Sequence, residues 1–140
     1  MHEFELIEHF FSTGTAEREE VILGIGDDAA LLRIPSDRKV VTAIATIRDP
    51  MHGESPESLG YRALDLSLGR LMDFGATPVW ATLALTMPNV DRDWLGRFSH
   101  GIKDLARRSH VCLVGGDTTQ GPLAITIVSN GYIPVSDLEE

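Results

Sequence analysis

Two short apolar runs, residues 111–114 (Val-Cys-Leu-Val) and 123–128, bracket the polar stretch Gly-Gly-Asp-Thr-Thr-Gln-Gly-Pro at 115–122. Runs of this length suit buried strands, so whatever lies between them must redirect the chain. Gly115 and Gly116 stand where the first strand would end, which lets the backbone turn tightly or approach a ligand. Asp117 then offers a carboxylate, and Thr118 and Thr119 offer hydroxyls, in a loop held between two core strands. The arrangement suits a metal or phosphate site, and it equally suits an ordinary Asx turn.

The rest of the hydrophobic pattern interleaves helices with strands. Residues 3–11 carry Phe4, Leu6, Ile7, Phe10 and Phe11 at helical spacing. Residues 21–23, 29–34 and 40–47 read as strands, with Pro35-Ser-Asp-Arg38 as a turn. The main helix covers 57–74, is apolar over more than a narrow stripe, and stops at Gly75. Residues 79–87 form a strand with so little alternation that burial of both faces is expected. A second long helix covers 91–109, capped by Asp91 and basic in its C-terminal half. This order predicts an α+β fold, a mixed and mainly antiparallel sheet with helices on one face. In the last strand Leu123, Ile125 and Ile127 alternate with Ala124, Thr126 and Val128, so the second face is also mostly apolar. The sheet of a second copy is its natural cover, which predicts a homodimer.

A chain of 140 residues suits one domain, here 1–140. Its net charge of −9 argues against a nucleic-acid surface, because no large Lys/Arg patch can neutralise phosphates. The single cysteine, Cys112, allows no internal disulfide and is expected as a buried, inert thiol. With no apolar stretch of membrane-spanning length and no signal-like N-terminus, a cytoplasmic protein without membrane contacts is expected.

Several segments acquire meaning together: Gly24-Ile-Gly-Asp-Asp28, Leu59-Gly-Tyr61, Gly75-Ala-Thr-Pro-Val-Trp80, Thr82-Leu-Ala-Leu-Thr86, Trp94-Leu95 and Gly115-Gly-Asp-Thr-Thr119. In combination they resemble the N-terminal half of the thiamine-monophosphate kinase family, part of the larger group that includes aminoimidazole ribonucleotide synthetase. The resemblance covers nearly the whole chain. It implies a domain whose sheet pairs with that of a second subunit into a barrel. It also implies transfer of the γ-phosphoryl of ATP to thiamine monophosphate, with Mg²⁺ held by aspartates from several loops. Mg²⁺ wants octahedral oxygen ligands, and phosphoryl transfer needs charge neutralisation and positioning. On this resemblance Gly26, Asp27, Asp28, Gly116, Asp117 and Thr118 are the nucleotide-binding positions, and Asp27, Asp28 and Asp117 the metal positions.

Three positions depart from the family pattern. Ala45 stands where the family has an aspartate after the third strand, Arg70 where it has an aspartate on the main helix, and Gln120 where it has an arginine. Losing two carboxylates, one to a guanidinium that stays charged, makes the site three charge units more positive. Arg70 is therefore expected to pair with Asp27, Asp28 or Asp117 in place of a metal. Family members also continue into a second domain, absent from these 140 residues. The expectation is a stand-alone, non-catalytic relative acting as a homodimeric scaffold or ligand-binding module, with no cofactor. The alternative is half of an ATP- and Mg²⁺-dependent enzyme completed by a separate chain.

Overall fold

Helix formation in this chain is signalled locally at both ends of each long helix. Helix α1, Pro56–Asp73, starts with proline in its first turn, and Ser55 caps it by accepting from the Ser58 N–H. It ends where Gly75 takes φ of 100°, a conformation that glycine adopts without strain. Helix α2, Arg92–Arg108, is capped by Asp91, whose Oδ1 accepts from the Trp94 N–H at 3.1 Å. Its C-terminal turn closes through His110, which adopts φ of 56° without being glycine.

The computed structural model describes residues 9–23 and 29–138. Besides the helices, the strands are β1 (Val21–Leu23), β2 (Leu31–Leu32), β3 (Arg38–Ile47), β4 (Thr77–Met87), β5 (Cys112–Gln120) and β6 (Ala124–Pro134). A 3₁₀ turn, Val135–Leu138, follows β6. The main sheet has the order β3-β6-β4-β5, with β6 antiparallel to both neighbours and β5 parallel to β4. The parallel pair is joined by α2, as a crossover requires. This is the expected α+β architecture. Within one chain the sheet is open, with β3 and β5 as its edges.

Both helices cover one face. The layer between them and the sheet contains Leu64, Leu68, Leu95, Phe98 and Ile102 from the helices, against Leu83, Leu85, Ile125 and Ile127 from the strands. A buried hydroxyl pair, Ser67 with Ser129 at 2.7 Å, ties α1 to the central strand. Glycines bring the helices together: a methyl at Gly60 would strike the carbonyl oxygen of Phe98, and one at Gly101 that of Glu57.

The other face differs from expectation. The β1–β2 ribbon covers its lower half, packing Val21, Ala30 and Leu32 on Val79, Trp80, Val114 and Tyr132. The ribbon does not reach across β3, where Val40 and Ile44 are exposed on this face. Strand β4 is accordingly not buried on both faces, since Ala84 is exposed while Leu83 and Leu85 are buried. The second strand is also shorter than the predicted 29–34. The expected helix at 3–11 is helical at 9–11, and its first residues lie outside the described ones. The acidic tail at 139–140 does too.

The loop before α1 is pinned by charge. Glu54 is almost wholly buried, takes a two-pronged contact from Arg62 at 2.7 and 2.8 Å, and accepts the Met51 N–H. The Arg62 hydrogen bonds hold the Glu54 carboxyl below its ordinary pKa, against the opposing effect of desolvation. A carboxyl depressed on folding stabilises the fold above its ordinary pKa of 4.5 and loses that contribution as pH falls through its lower folded value. The urea midpoint is therefore expected to drop on acidification below 4.5, and Glu54→Gln to flatten that part of the profile while lowering stability at pH 7.

Candidate functional site

Asp117 does not sit in a loop. Strand β5 runs through the stretch read as a turn, to Gln120, and the chain reverses at 121–123. Parallel pairing with β4 satisfies the backbone groups that point toward it, and a register shift at Ala81/Thr82 absorbs the irregularity. Two adjacent glycines therefore mark a flat stretch of strand here, not a break. Gly116 lies opposite Leu83, Asp117 opposite Ala84 and Thr118 opposite Leu85. Because side chains alternate across a sheet, Asp117 and Thr118 face opposite ways. Asp117 is exposed on the uncovered face, while Thr118 is buried on the helix side.

Asp117 ends a cross-strand row formed by Thr46, Thr126 and Ala84. Thr46 and Thr126 share a hydroxyl hydrogen bond of 2.8 Å, and Thr86 and Thr119 another of 2.7 Å one row further on. Each of these threonines comes from a different strand, so no local spacing in the sequence marks the row. Gln120 closes the row's end by donating its side-chain amide to the Pro88 carbonyl at 3.3 Å.

The other two altered positions, Ala45 and Arg70, lie on the opposite edge. Ala45 is buried against the helices, opposite Ile127. Arg70, near the end of α1, reaches past the sheet edge and donates from Nη1 to the Ile44 carbonyl oxygen at 2.6 Å. The two departures from the family pattern thus meet at one peptide group. Strands β3 and β5 are three strand spacings apart, roughly 14 Å, and Ala45 and Asp117 face opposite sides. The expected Arg70–Asp117 pair is therefore not formed. Arg70 instead occupies a lone pair that an edge strand leaves unsatisfied. Gly26, Asp27 and Asp28 lie outside the described residues.

Among the described residues no three of His, Cys, Asp and Glu converge in metal-binding fashion. His52 is exposed in its loop. Cys112 is half-buried, and burial pushes its thiol pKa up, the direction that makes it a poorer nucleophile. No described helix is long and apolar enough to cross a membrane. Within one chain two groups of residues stand apart. An exposed carboxylate stands among hydroxyls on one edge, and a guanidinium at the Ile44–Ala45 peptide on the other.

Comparison with known proteins gives two relatives and one structure that shares the fold. A thiamine-monophosphate kinase from Escherichia coli (strain K12) is 42% identical over 136 residues, covering 95% of this chain and 42% of the relative. The crystal structure of thiamine-monophosphate kinase from Stenotrophomonas maltophilia K279a superposes with a TM-score of 0.82 at 36% identity, covering 96% of this chain and 43% of that one. At 20% identity, E. coli HypE, a hydrogenase maturation protein, shares the fold with a TM-score of 0.75 over 93% of this chain and 43% of its own. The chain thus spans about two fifths of the length of the relatives it matches. Residues 26–133 match the family model described as AIR synthase related protein, N-terminal domain. By that match, and by a fold with the same sheet and helix layers, the chain belongs to the AIR synthase related proteins as their N-terminal domain.

Proposed function

We propose that this chain is a thiamine-monophosphate-kinase-like N-terminal domain without kinase activity of its own, acting as a homodimeric scaffold or ligand-binding module. The observation that carries the reading is the meeting of Ala45 and Arg70. The family resemblance gives both positions a carboxylate, and here a methyl and a fixed cation stand at a single peptide group. Mg²⁺ gains nothing from either, and the guanidinium repels it. If Asp27, Asp28 and Asp117 retain metal or ATP affinity, they do so without these two partners. The uncovered part of this face, with Val40 and Ile44 of β3 exposed, supports pairing with a second copy, whose sheet would complete a barrel.

A second reading draws on the 42% identity maintained along 95% of the chain. In it the chain is half of an ATP- and Mg²⁺-dependent kinase for thiamine monophosphate, completed by further polypeptide.

Calorimetry separates the two readings. Titration with Mg·ATP, with and without thiamine monophosphate, is expected to give no Mg²⁺-dependent heat. Tight Mg²⁺-dependent ATP binding would overturn the first reading. The double substitution Ala45→Asp with Arg70→Asp is expected to restore Mg²⁺ binding. Arg70→Ala alone is expected to cost about 1 kcal/mol or less, since it removes one exposed hydrogen bond to backbone.

A further inference from the structure

At the foot of the sheet, where β3 and β4 begin and β6 ends, lies a cavity of about 340 Å³. It is at the opposite end of the strands from Gln120. Arg18, Glu20, Asp37, Arg38, Thr77 and Tyr132 are among its walls. Tyr132 is 7% exposed and sits edge-on to Trp80. Its hydroxyl is buried and has no hydrogen-bond partner among the described residues. Folded proteins seldom leave such a donor unsatisfied, so the exception asks for a reason. Burial first, and then the Glu20 carboxylate, push the phenol's pKa up, which keeps it a protonated donor at neutral pH.

Each acid in this cavity has a cationic partner, Glu20 partly buried and Asp37 exposed to solvent together with Arg38. Glu20 is held by Arg18 at 3.2 Å, and Arg18 spends its third nitrogen on the His110 carbonyl. Asp37 is paired with Arg38 through Nη1 alone, at 3.0 Å. That leaves Nε and Nη2 of Arg38, the Thr77 hydroxyl and the Tyr132 hydroxyl without a partner among the described residues. The unused capacity is on the donor side, in a space walled otherwise by Pro35, Val79 and Pro134. A guanidinium fork with adjacent hydroxyls matches the oxygens of a carboxylate or phosphate.

We propose that this cavity binds a small oxyanion, a carboxylate or phosphate group, held by the free side of Arg38 and the Tyr132 hydroxyl. Binding here is independent of the altered positions Ala45 and Arg70, so it can serve a chain that performs no phosphoryl transfer.

The test is thermal unfolding of the full chain at pH 7 in sodium phosphate, sodium acetate and sodium chloride at matched ionic strength. In wild type one or both oxyanions are expected to raise Tm above the chloride value, growing with the logarithm of concentration. The arm that responds identifies the source of the oxygens. Phosphate also strengthens folding by exclusion from protein surfaces, which acts on every variant alike. Only the part lost in Tyr132→Phe and in Arg38→Gln therefore reports the site, and both are expected to lose it. Tyr132→Phe is further expected to melt higher than wild type in chloride, because it deletes an unpaired buried hydroxyl. Equal responses in wild type and both variants would overturn the proposal, as would identical Tm values in all three salts.

Discussion

Phe98→Ala is expected to lower the unfolding free energy by about 3–5 kcal/mol. Phe98 is fully buried on the inner face of α2. Its ring stacks on Trp94 at 4.8 Å and 10°, and meets the edge of Phe11 at 6.5 Å and 80°. Its backbone carbonyl lies where α1 passes closest, over Gly60. Truncation thus removes the transfer energy of the ring and leaves a cavity shared by three elements: the turn at 9–11, α1 and α2. Backbone on both sides is fixed by the helix crossing, so the site collapses poorly. At roughly 2–4 °C per kcal/mol for a chain somewhat larger than this, melting should fall by about 10 °C or more. A fall of only a few degrees would mean that the aromatic cluster is looser than described.

The second large effect comes from adding a single carbon. Gly101→Ala places a methyl against the carbonyl of Glu57, in the first turn of α1. Neither helix can yield without disturbing the buried layer that contains Leu64, Leu95 and Ile102. Overpacking of this kind costs about 1–3 kcal/mol and more where backbone is the obstacle. A matched control lies in α1 itself. Gly69 has nothing within reach of an added methyl, so Gly69→Ala should stabilise the helix by roughly 0.5–1 kcal/mol. Opposite signs for the same chemical change, measured by urea unfolding, would establish that contact and not helix propensity decides the outcome at residue 101.

The helices were readable from sequence because their signals are local. Asp91 and Gly75 act within a turn of their own positions, and the apolar spacing of α2 names its inner face directly. The extent of β5 was not readable. Gly115 and Gly116 look like a strand's end until the parallel partner β4 is known, and that partner lies beyond a seventeen-residue helix. The cover given by β1 and β2 was likewise hidden, since each is only two or three residues long. For the site, sequence identified Ala45 and Arg70 as departures. It could not show that they meet at the Ile44 carbonyl while Asp117 stands on the far edge. Strand order and facing decide that, and neither is written in residue spacing. Tyr132 was passed over because one tyrosine in an apolar strand carries no sign of an unpartnered hydroxyl.

The position of β6 in the sheet governs when the fold can form during synthesis. The last strand in the described chain is inserted between β3 and β4, and its pairing of Thr126 with Thr46 spans 80 residues. Until it leaves the ribosome, β3 has no hydrogen-bonding neighbour in the main sheet, and β4 has only β5 beside it. Contacts so distant along the polypeptide form slowly, and unpaired edges invite association meanwhile. A nascent chain stopped before residue 124 would hold both long helices but lack the strand that joins β3 to β4, so folding here must await nearly the whole domain.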